Sequence, residues 1–217
     1  MSKLVVYGAT GYAGSRIVAE AASRGHEVTA VARNIADAPA IEGVAYVAGS
    51  FYDAALLHEL TKDADVLVSA IHAMSADGDS IIDALPTLVE VAQTNGVRIG
   101  IVAGAGSLYV SAGGEQVRIA YASALPAEAM PEINTHAAFL EALRTTPADV
   151  DWFFVSPALS FGSHVPGVRT GNYRLGGDVL LTDVDGQSAI SGDDYAIAFV
   201  DEIEKPVHHR TRFTVAY

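Results

Sequence analysis

The amino-acid sequence predicts an α/β protein with a doubly wound parallel sheet. Short apolar runs alternate with segments of helical periodicity through the first half of the chain, and these runs are rich in β-branched residues. Parallel strands have this composition because helices cover both faces of the sheet and exclude water from it. The chain has 217 residues, half of them hydrophobic, which is enough to bury one core. We therefore expect a single domain over residues 1–217.

The first half of the chain contains five predicted strands and three predicted helices. The strands cover residues 4–7, 26–33, 44–48, 66–70 and 97–103. The helices cover residues 11–24, 53–61 and 79–94. Pro86 falls inside the last of these helices, and a proline removes an amide donor and clashes with the preceding turn. It predicts either a kink there or the first turn of a second helix.

The second half of the chain is less regular. Its pattern predicts a helix over 132–144, a sixth strand over 152–156 and a final strand over 212–217. The segment 162–192 is rich in glycine and carries short β-like runs, which indicates turns and hairpins. Ser191 is followed three residues later by Asp194, the spacing of a capping box. This spacing predicts a helix that begins there and runs to about residue 204.

The composition narrows the classes of partner. The chain has 13 Lys and Arg against 26 acidic residues, a net charge of -13, with no basic stripe. A phosphate backbone or an anionic membrane needs such a stripe, so we expect neither nucleic acid nor a membrane as a partner. The sequence also has no cysteine, no zinc-type ligand spacing, no signal-peptide pattern and no long apolar segment. These features predict a cytoplasmic protein without a bound metal.

Three glycines occupy the turn between the first predicted strand and the first predicted helix: Gly8, Gly11 and Gly14. This spacing allows a tight turn, bare backbone beside a ligand, and close packing of the helix against the strand. The free amides of the first helical turn, together with the helix dipole, favour phosphate groups. The motif predicts a dinucleotide site. Its expected donors are the amides of Thr10, Gly11, Tyr12 and Ala13.

The end of the second predicted strand bears on the choice of dinucleotide. An acidic residue at this place accepts hydrogen bonds from the ribose hydroxyls in NAD sites. The strand ends instead on Arg33 and Asn34, and the forked donors of an arginine fit a 2′-phosphate. Asp37 could in principle serve as the ribose acid, but it comes after the expected end of the strand. The sequence therefore predicts NADPH in preference to NADH.

Several blocks of the sequence together resemble the atypical short-chain dehydrogenase/reductases. They are the glycine turn, Gly104-Ala-Gly-Ser107, Arg169-Thr-Gly171 and the tail that contains Ser191, Asp194 and Tyr195. More closely, the chain looks like the NADH-flavin reductase branch, which is related to the NmrA-like and biliverdin reductase B proteins. The resemblance runs nearly end to end and implies a Rossmann-type fold that binds a nicotinamide cofactor.

The resemblance also implies where the nicotinamide lies, over the ends of the fourth to sixth strands. The residues that would line it there are Ala70, Ile71, His72, Ala103, Gly104, Pro157 and Ala158. Residues 105–131 and 157–192 would then form the loops on the substrate side. The implied activity is hydride transfer to a flavin such as FMN, or to a similar conjugated acceptor.

Short-chain dehydrogenases commonly transfer a proton through a Tyr-x-x-x-Lys pair. No lysine stands four places after any tyrosine in this chain. Ser107 and Tyr109 after the fifth strand, and His136 on the next helix, are the remaining candidates for catalysis. Each also fits an ordinary structural role, the serine in a turn and the histidine on a helix surface. His72 is a candidate for contact with cofactor or substrate, because ligands bind at the carboxyl edge of such sheets.

Three functions are compatible with the sequence. The leading one is an NADPH-dependent reductase of a flavin, quinone or tetrapyrrole, since hydride transfer between stacked rings depends mainly on their orientation. The second is a non-catalytic NADP(H) sensor of the NmrA type. The third is an epimerase, isomerase or dehydratase with His136 or Tyr109 as its base. The expected partner is a small-molecule acceptor, and the expected assembly is a monomer or a homodimer.

Overall fold

The computed structural model describes residues 1–75 and 77–217 and contains one eight-stranded sheet. Its strands are β1 (Lys3–Tyr7), β2 (Glu27–Ala32), β3 (Val44–Ala48), β4 (Val66–Ser69), β5 (Arg98–Val102), β6 (Trp152–Ser156), β7 (Arg174–Gly176) and β8 (Thr211–Ala216). Its helices are α1 (Tyr12–Ser23), α2 (Ala54–Thr61), α3 (Leu85–Asn95), α4 (Val117–Ala120), α5 (Met130–Arg144) and α6 (Gly192–Glu204). The spatial order of the strands is β3-β2-β1-β4-β5-β6-β8-β7, and only β7 runs antiparallel to its neighbour. The predicted fold class is confirmed.

The sheet separates two hydrophobic cores. Successive residues of β1 alternate between them, with Leu4 and Val6 in one core and Val5 and Tyr7 in the other. Helices α1 and α6 cover the first core, whereas α2, α3 and α5 cover the second. Because both faces are covered, the central strands β1 and β4 are apolar at every position except the first residue of β1, Lys3, and the last residue of β4, Ser69, as the sequence pattern indicated.

The strand order reverses between β1 and β4. From β1 the chain moves outward in one direction through β2 and β3, and from β4 it moves in the other direction through β5 and β6. The crossovers therefore leave the sheet on opposite sides, and in sheets of this topology the crevice lies at the carboxyl ends of the two strands that flank the reversal, here β1 and β4. Ligands bind at this point in open α/β sheets.

The third predicted helix begins later than expected. Residues 81–84 form turns, and α3 starts at Leu85 with Pro86 in its first turn. A proline is favourable there because the amides of the first turn have no acceptor within the helix. The prediction of a helix from residue 79 is wrong, and Pro86 marks a helix start.

The glycine-rich segment forms mostly turns, with one short strand. Only β7, among the described residues of 162–192, joins the sheet, through its antiparallel pairing with β8. Ser191 caps α6 as predicted, since its side chain accepts from the Asp194 amide. The Asp194 carboxylate does not complete the box; it accepts from the amides of Thr170 and Gly171 and from the Tyr217 hydroxyl. This carboxylate fixes the loop before β7 to α6.

No helix within 1–75 or 77–217 is long and apolar enough to span a membrane.

Candidate functional site

The glycine turn lies at the carboxyl end of β1, where the strand order reverses. Gly8 has a φ of +77°, and a β-carbon on it would lie 2.2 Å from the carbonyl oxygen of Ala70. A β-carbon on Gly14 would lie 2.1 Å from the carbonyl oxygen of Gly8. These positions accept only glycine because the helix, the turn and the end of β4 approach each other at backbone distance.

Backbone hydrogen bonds hold the turn and leave several amides free. The amides of Gly8 and Ala9 both donate to the carbonyl of Val31, at 3.0 and 3.2 Å. Within the described part of the chain, the amides of Thr10, Tyr12 and Ala13 have no protein acceptor. The amide of Gly11, the fourth expected donor, instead donates to the carbonyl of Gly8 at 2.9 Å and is not free for a ligand. The three free amides lie at the N-terminus of α1, where such amides and the helix dipole bind anions. The bare backbone and the free amides fit the pyrophosphate of a dinucleotide.

The side chain of Tyr12 joins α1 to α6 and to the loop after β6. Its hydroxyl accepts from the amide of Gly192 at 3.1 Å and donates to the carbonyl of Pro166 at 3.2 Å. The guanidinium of Arg16 lies 4.2 Å from the centre of its ring. These contacts fix the first turn of α1 without using its amides.

Arg33 and Asn34 follow β2, next to the glycine turn. Arg33 is 69% exposed at its side chain, and its Nη1 lies 3.8 Å from the carboxylate of Asp77. Such an exposed pair is weak, so the guanidinium is available to a ligand phosphate. The side chain of Asn34 accepts from the amide of Ala36, which stabilises the turn after the strand.

The predicted nicotinamide-lining residues occupy the carboxyl ends of adjacent strands. Ala70 and Ile71 follow β4, Ala103 and Gly104 follow β5, and Pro157 follows β6; Ala158 is the next residue. The amide of Ala70 donates to the carbonyl of Tyr7, which holds the end of β4 against the glycine turn. The fold brings these residues together at one edge, and their contacts with a nicotinamide stay a prediction.

A carboxylate and two histidines form a cluster, the Glu132 cluster, at this same edge. Glu132 lies in the first turn of α5 and accepts from the amides of Ala73 and Met74, at 2.7 and 3.0 Å. Its Oε1 also lies 3.4 Å from Nδ1 of His72 and 3.3 Å from Nε2 of His136. The carboxylate thus connects the loop after β4 to α5.

The Glu132 cluster changes the acidity of its members. Burial acts to raise the pKa of Glu132, but contacts with His136, His72 and the Ala73 amide outweigh it and hold this pKa far below the ordinary range. The same contact, with the ionised Glu132, raises the pKa of His72. The ring of His136 is buried and lies edge-on to Phe154, whereas His72 is 89% exposed at its side chain. Of these two rings, only that of His72 faces solvent.

Ser107 and Tyr109 lie in the loop after β5. The hydroxyl of Ser107 is buried and accepts from Nη1 of Arg212 at 3.0 Å. The backbone of Tyr109 pairs with Asp178 and Leu180, at 2.8 Å in each case. Both residues therefore join the two predicted substrate-side loops, 105–131 and 157–192, to each other or to the sheet. Their catalytic roles stay predictions.

Sequence reasoning missed Glu132. Its one local signal is the four-residue spacing to His136, which places both side chains on the same helix face. The contacts to Ala73 and Met74 span almost 60 residues of chain, at separations of 59 and 58. Such contacts depend on the tertiary fold.

Comparison with known proteins identifies the family. Residues 8–206 match the family model described as NAD(P)H-binding, a span of most of the chain that begins at Gly8 of the turn. The chain belongs to the NAD(P)H-binding family. For this NAD(P)H-binding protein, the resemblance to the atypical short-chain dehydrogenase/reductases is confirmed, with an oxidoreductase-type fold and a nicotinamide cofactor.

Similar proteins match the NAD(P)H-binding protein over its whole length. The uncharacterised protein YwnB of Bacillus subtilis is 35% identical over 214 residues, 98% of this chain and 97% of that protein. A solved structure from Bacteroides thetaiotaomicron, provisionally named an epimerase, is 34% identical, with a TM-score of 0.87 and coverage of 100% and 97%. One from Streptococcus pneumoniae, provisionally named an NADH-flavin reductase, is 32% identical, with a TM-score of 0.78 and coverage of 100% and 99%.

Proposed function

We propose that this NAD(P)H-binding protein reduces a flavin or a similar conjugated small molecule with NADPH. The observation that carries the proposal is the glycine turn. Gly8 and Gly14 leave no room for a β-carbon, and three amides of the turn and first helical turn are free beside them. This arrangement supports a pyrophosphate site at the switch point of the sheet.

The preference for NADPH rests on Arg33. Its guanidinium follows β2, has 69% of its side chain exposed, and makes one weak contact at 3.8 Å to Asp77. A 2′-phosphate would offer it two charge-assisted hydrogen bonds, which the ribose hydroxyl of NADH cannot do. The net charge of -13 makes this local cation more important, because the rest of the surface repels phosphate.

The proposed class of acceptor rests on the missing Tyr-x-x-x-Lys pair and on the chemistry of hydride transfer. The chain has no Tyr-x-x-x-Lys pair, which argues against conventional carbonyl reduction. When bound, the nicotinamide would supply a hydride, and a conjugated acceptor can receive it by stacking on the ring. The similarity to a protein provisionally named an NADH-flavin reductase also favours a flavin acceptor.

The experiment measures binding and turnover of the purified protein. We expect NADPH oxidation with FMN, riboflavin or a quinone. In Arg33→Ala the Kd for NADPH should rise about tenfold or more while the Kd for NADH stays the same. Lys62→Ala is the matched control, since it removes one exposed positive charge after α2, at the opposite edge of the sheet. Tight NADPH binding without turnover of any acceptor would reject the reductase and favour the NADP(H) sensor.

A second candidate is an epimerase or isomerase. The observation in its favour is the Glu132 cluster, which places two histidines against one carboxylate at the cofactor edge. A histidine there could move a proton to and from a carbon centre. The solved relative provisionally named an epimerase is consistent with it. This activity would cycle the cofactor without net oxidation, so incubation of substrate in heavy water would label the product without NADPH loss.

A further inference from the structure

The Glu132 cluster lies close to the cofactor turn. Ala70 contacts the glycine turn through backbone, and His72 is two residues further along the same chain. Two extended residues span about 7 Å, so the His72 ring is tethered beside the place where the turn directs a cofactor. The crevice at the carboxyl ends of the strands therefore has an exposed imidazole on its wall.

The geometry of the cluster fixes one nitrogen of this imidazole and leaves the other free. Nδ1 of His72 lies 3.4 Å from Oε1 of Glu132, so a proton on Nδ1 faces the carboxylate. The carboxylate itself is held by the amides of Ala73 and Met74 and by Nε2 of His136. A carboxylate that contacts one ring nitrogen of a catalytic imidazole orients the ring and stabilises its charged form. The proton on Nε2 of His72 is then the one that the ring can donate.

Two charged groups, from two different parts of the fold, act on His72. Glu132 on α5 favours the imidazolium, and Arg33 after β2 opposes it less strongly. His136 shares the Glu132 carboxylate from the far side. Tyr52, before α2, shares Glu132 and Arg33 as charged neighbours with His72, and burial together with Asp79 and Asp83 raises the pKa of Tyr52 to about 12. Glu132 dominates, so the ring stays protonated to higher pH than a free histidine.

We propose that His72 is the general acid of this site and that Glu132 is its positioning residue. This inference rests on the proposed reductase activity. A hydride brings two electrons and one hydrogen nucleus to the acceptor and leaves an anion at its conjugated nitrogen or oxygen. The Nε2–H bond of His72 then breaks, its proton neutralises that anion, and the neutral imidazole regains a proton from solvent. The acceptor class is a ring system that is anionic after hydride addition, such as a flavin or a quinone.

The test combines a pH profile with a readout that needs no turnover. For His72→Gln we expect kcat to fall about tenfold to a hundredfold, with loss of the descending limb at high pH and a change in the Kd for NADPH that is small beside the change in kcat. For Glu132→Gln the limb should move to lower pH, because the imidazolium loses its carboxylate. In the cofactor-free protein, the NMR titration midpoint of the His72 ring should move to lower pH in Glu132→Gln.

His209→Gln is the matched control. Nδ1 of His209 lies 2.9 Å from a carboxylate oxygen of Asp151, so it is also a histidine paired with an acid, but it precedes β8 at the amino edge of the sheet. Its pH profile should match the wild type. His72 is exposed, so His72→Gln should keep its melting temperature and remain interpretable even if Glu132→Gln does not fold.

The outcomes separate this inference from the proposed function. Wild-type turnover together with an unchanged kcat and pH profile in His72→Gln overturns the general acid and leaves the reductase standing. An unchanged His72 titration in Glu132→Gln overturns the positioning role. Absence of turnover in the wild type with every acceptor overturns the reductase, and the general acid with it.

Discussion

At the scale of single residues, backbone contact decides what the turn can bind. Gly14 sits on α1 with the carbonyl of Gly8 directly against the place of its missing side chain. The close approach fixes the direction of α1 relative to β1 and so aims the free amides of its first turn into the crevice. Gly14 therefore shapes the predicted ligand site by allowing this close approach of helix and turn, and it has no reactive side chain.

Gly14→Ala tests this role. The new β-carbon would lie 2.1 Å from the Gly8 carbonyl, so the helix must move away from the turn. We expect NADPH affinity to fall more than tenfold and the free energy of unfolding to fall by about 1–3 kcal/mol, the usual cost of overpacking. Isothermal titration and urea denaturation measure the two effects. Gly177→Ala is the control, because nothing lies within 4 Å of its β-carbon position. Retained NADPH affinity in Gly14→Ala would contradict the assigned site.

The sequence predicted the turn because its signal is local. Gly8, Gly11 and Gly14 lie within seven residues, and an apolar strand and an amphipathic helix flank them. Glu132 had no comparable signal, since its amide partners at Ala73 and Met74 are brought to it by the fold. Residue patterns therefore predicted the geometry of the glycine turn and missed the Glu132 carboxylate at the same edge of the sheet.

At the scale of elements, local signals fixed helix starts better than strand pairings. Pro86 and Ser191 each mark the beginning of a helix. The amides of a first turn have no acceptor within the helix, so a proline, which has no amide hydrogen, or a capping side chain is favoured there. The three residues of β7 carry no comparable pattern, and Leu175 within it is 52% exposed. Their pairing with β8 comes from the loop that Asp194 holds. Strand partners are set by such distant contacts.

Element packing at the amino edge of the sheet depends on one buried ion pair. Nη2 of Arg98, at the start of β5, lies 2.6 Å from Oε1 of Glu202 on α6, and the Glu202 side chain is only 3% exposed. Burial acts to raise the pKa of Glu202, but Arg98 and His208 lower it below its ordinary value of 4.5. The pair therefore contributes stability while Glu202 is ionised, and this contribution is lost as the pH falls through the lowered pKa.

Arg98→Met tests this contribution. It leaves a buried carboxylate without its main partner, so the free energy of unfolding should fall by about 3 kcal/mol near pH 7. The difference from the wild type should narrow as the pH falls toward the lowered pKa of wild-type Glu202, because the carboxyl that has lost Arg98 takes up a proton first. Urea denaturation at several pH values measures it. Arg144→Met, which breaks exposed pairs with Glu141 and Asp178, should cost less than about 1 kcal/mol. A pH-independent difference for Arg98→Met would refute the electrostatic account.

At the scale of the whole molecule, the carboxyl edge of the sheet carries the candidate site, whereas the amino edge carries a buried ion pair. The carboxyl edge carries the glycine turn, Arg33 and His72, which is 89% exposed at its side chain. The amino edge carries the Arg98 and Glu202 pair, buried between β5 and α6. Because the strands separate them by their full length, changes at one edge should add to changes at the other without coupling. The binding edge can therefore keep exposed charges that add little to stability.

The net charge of -13 acts on the cofactor before it reaches that edge. An anionic dinucleotide is repelled by the protein as a whole, and in the proposed site Arg33 would attract it locally. Salt screens both effects, so their balance appears in the association rate. In Arg33→Ala mainly the repulsion remains, and raising the salt from about 0.02 M to about 0.2 M should speed NADPH association several-fold. The wild type should respond less, because its local attraction is screened as well. Stopped-flow fluorescence measures both rates; a rate that falls with salt in Arg33→Ala would mean that other cations, and not Arg33, guide the cofactor into the crevice.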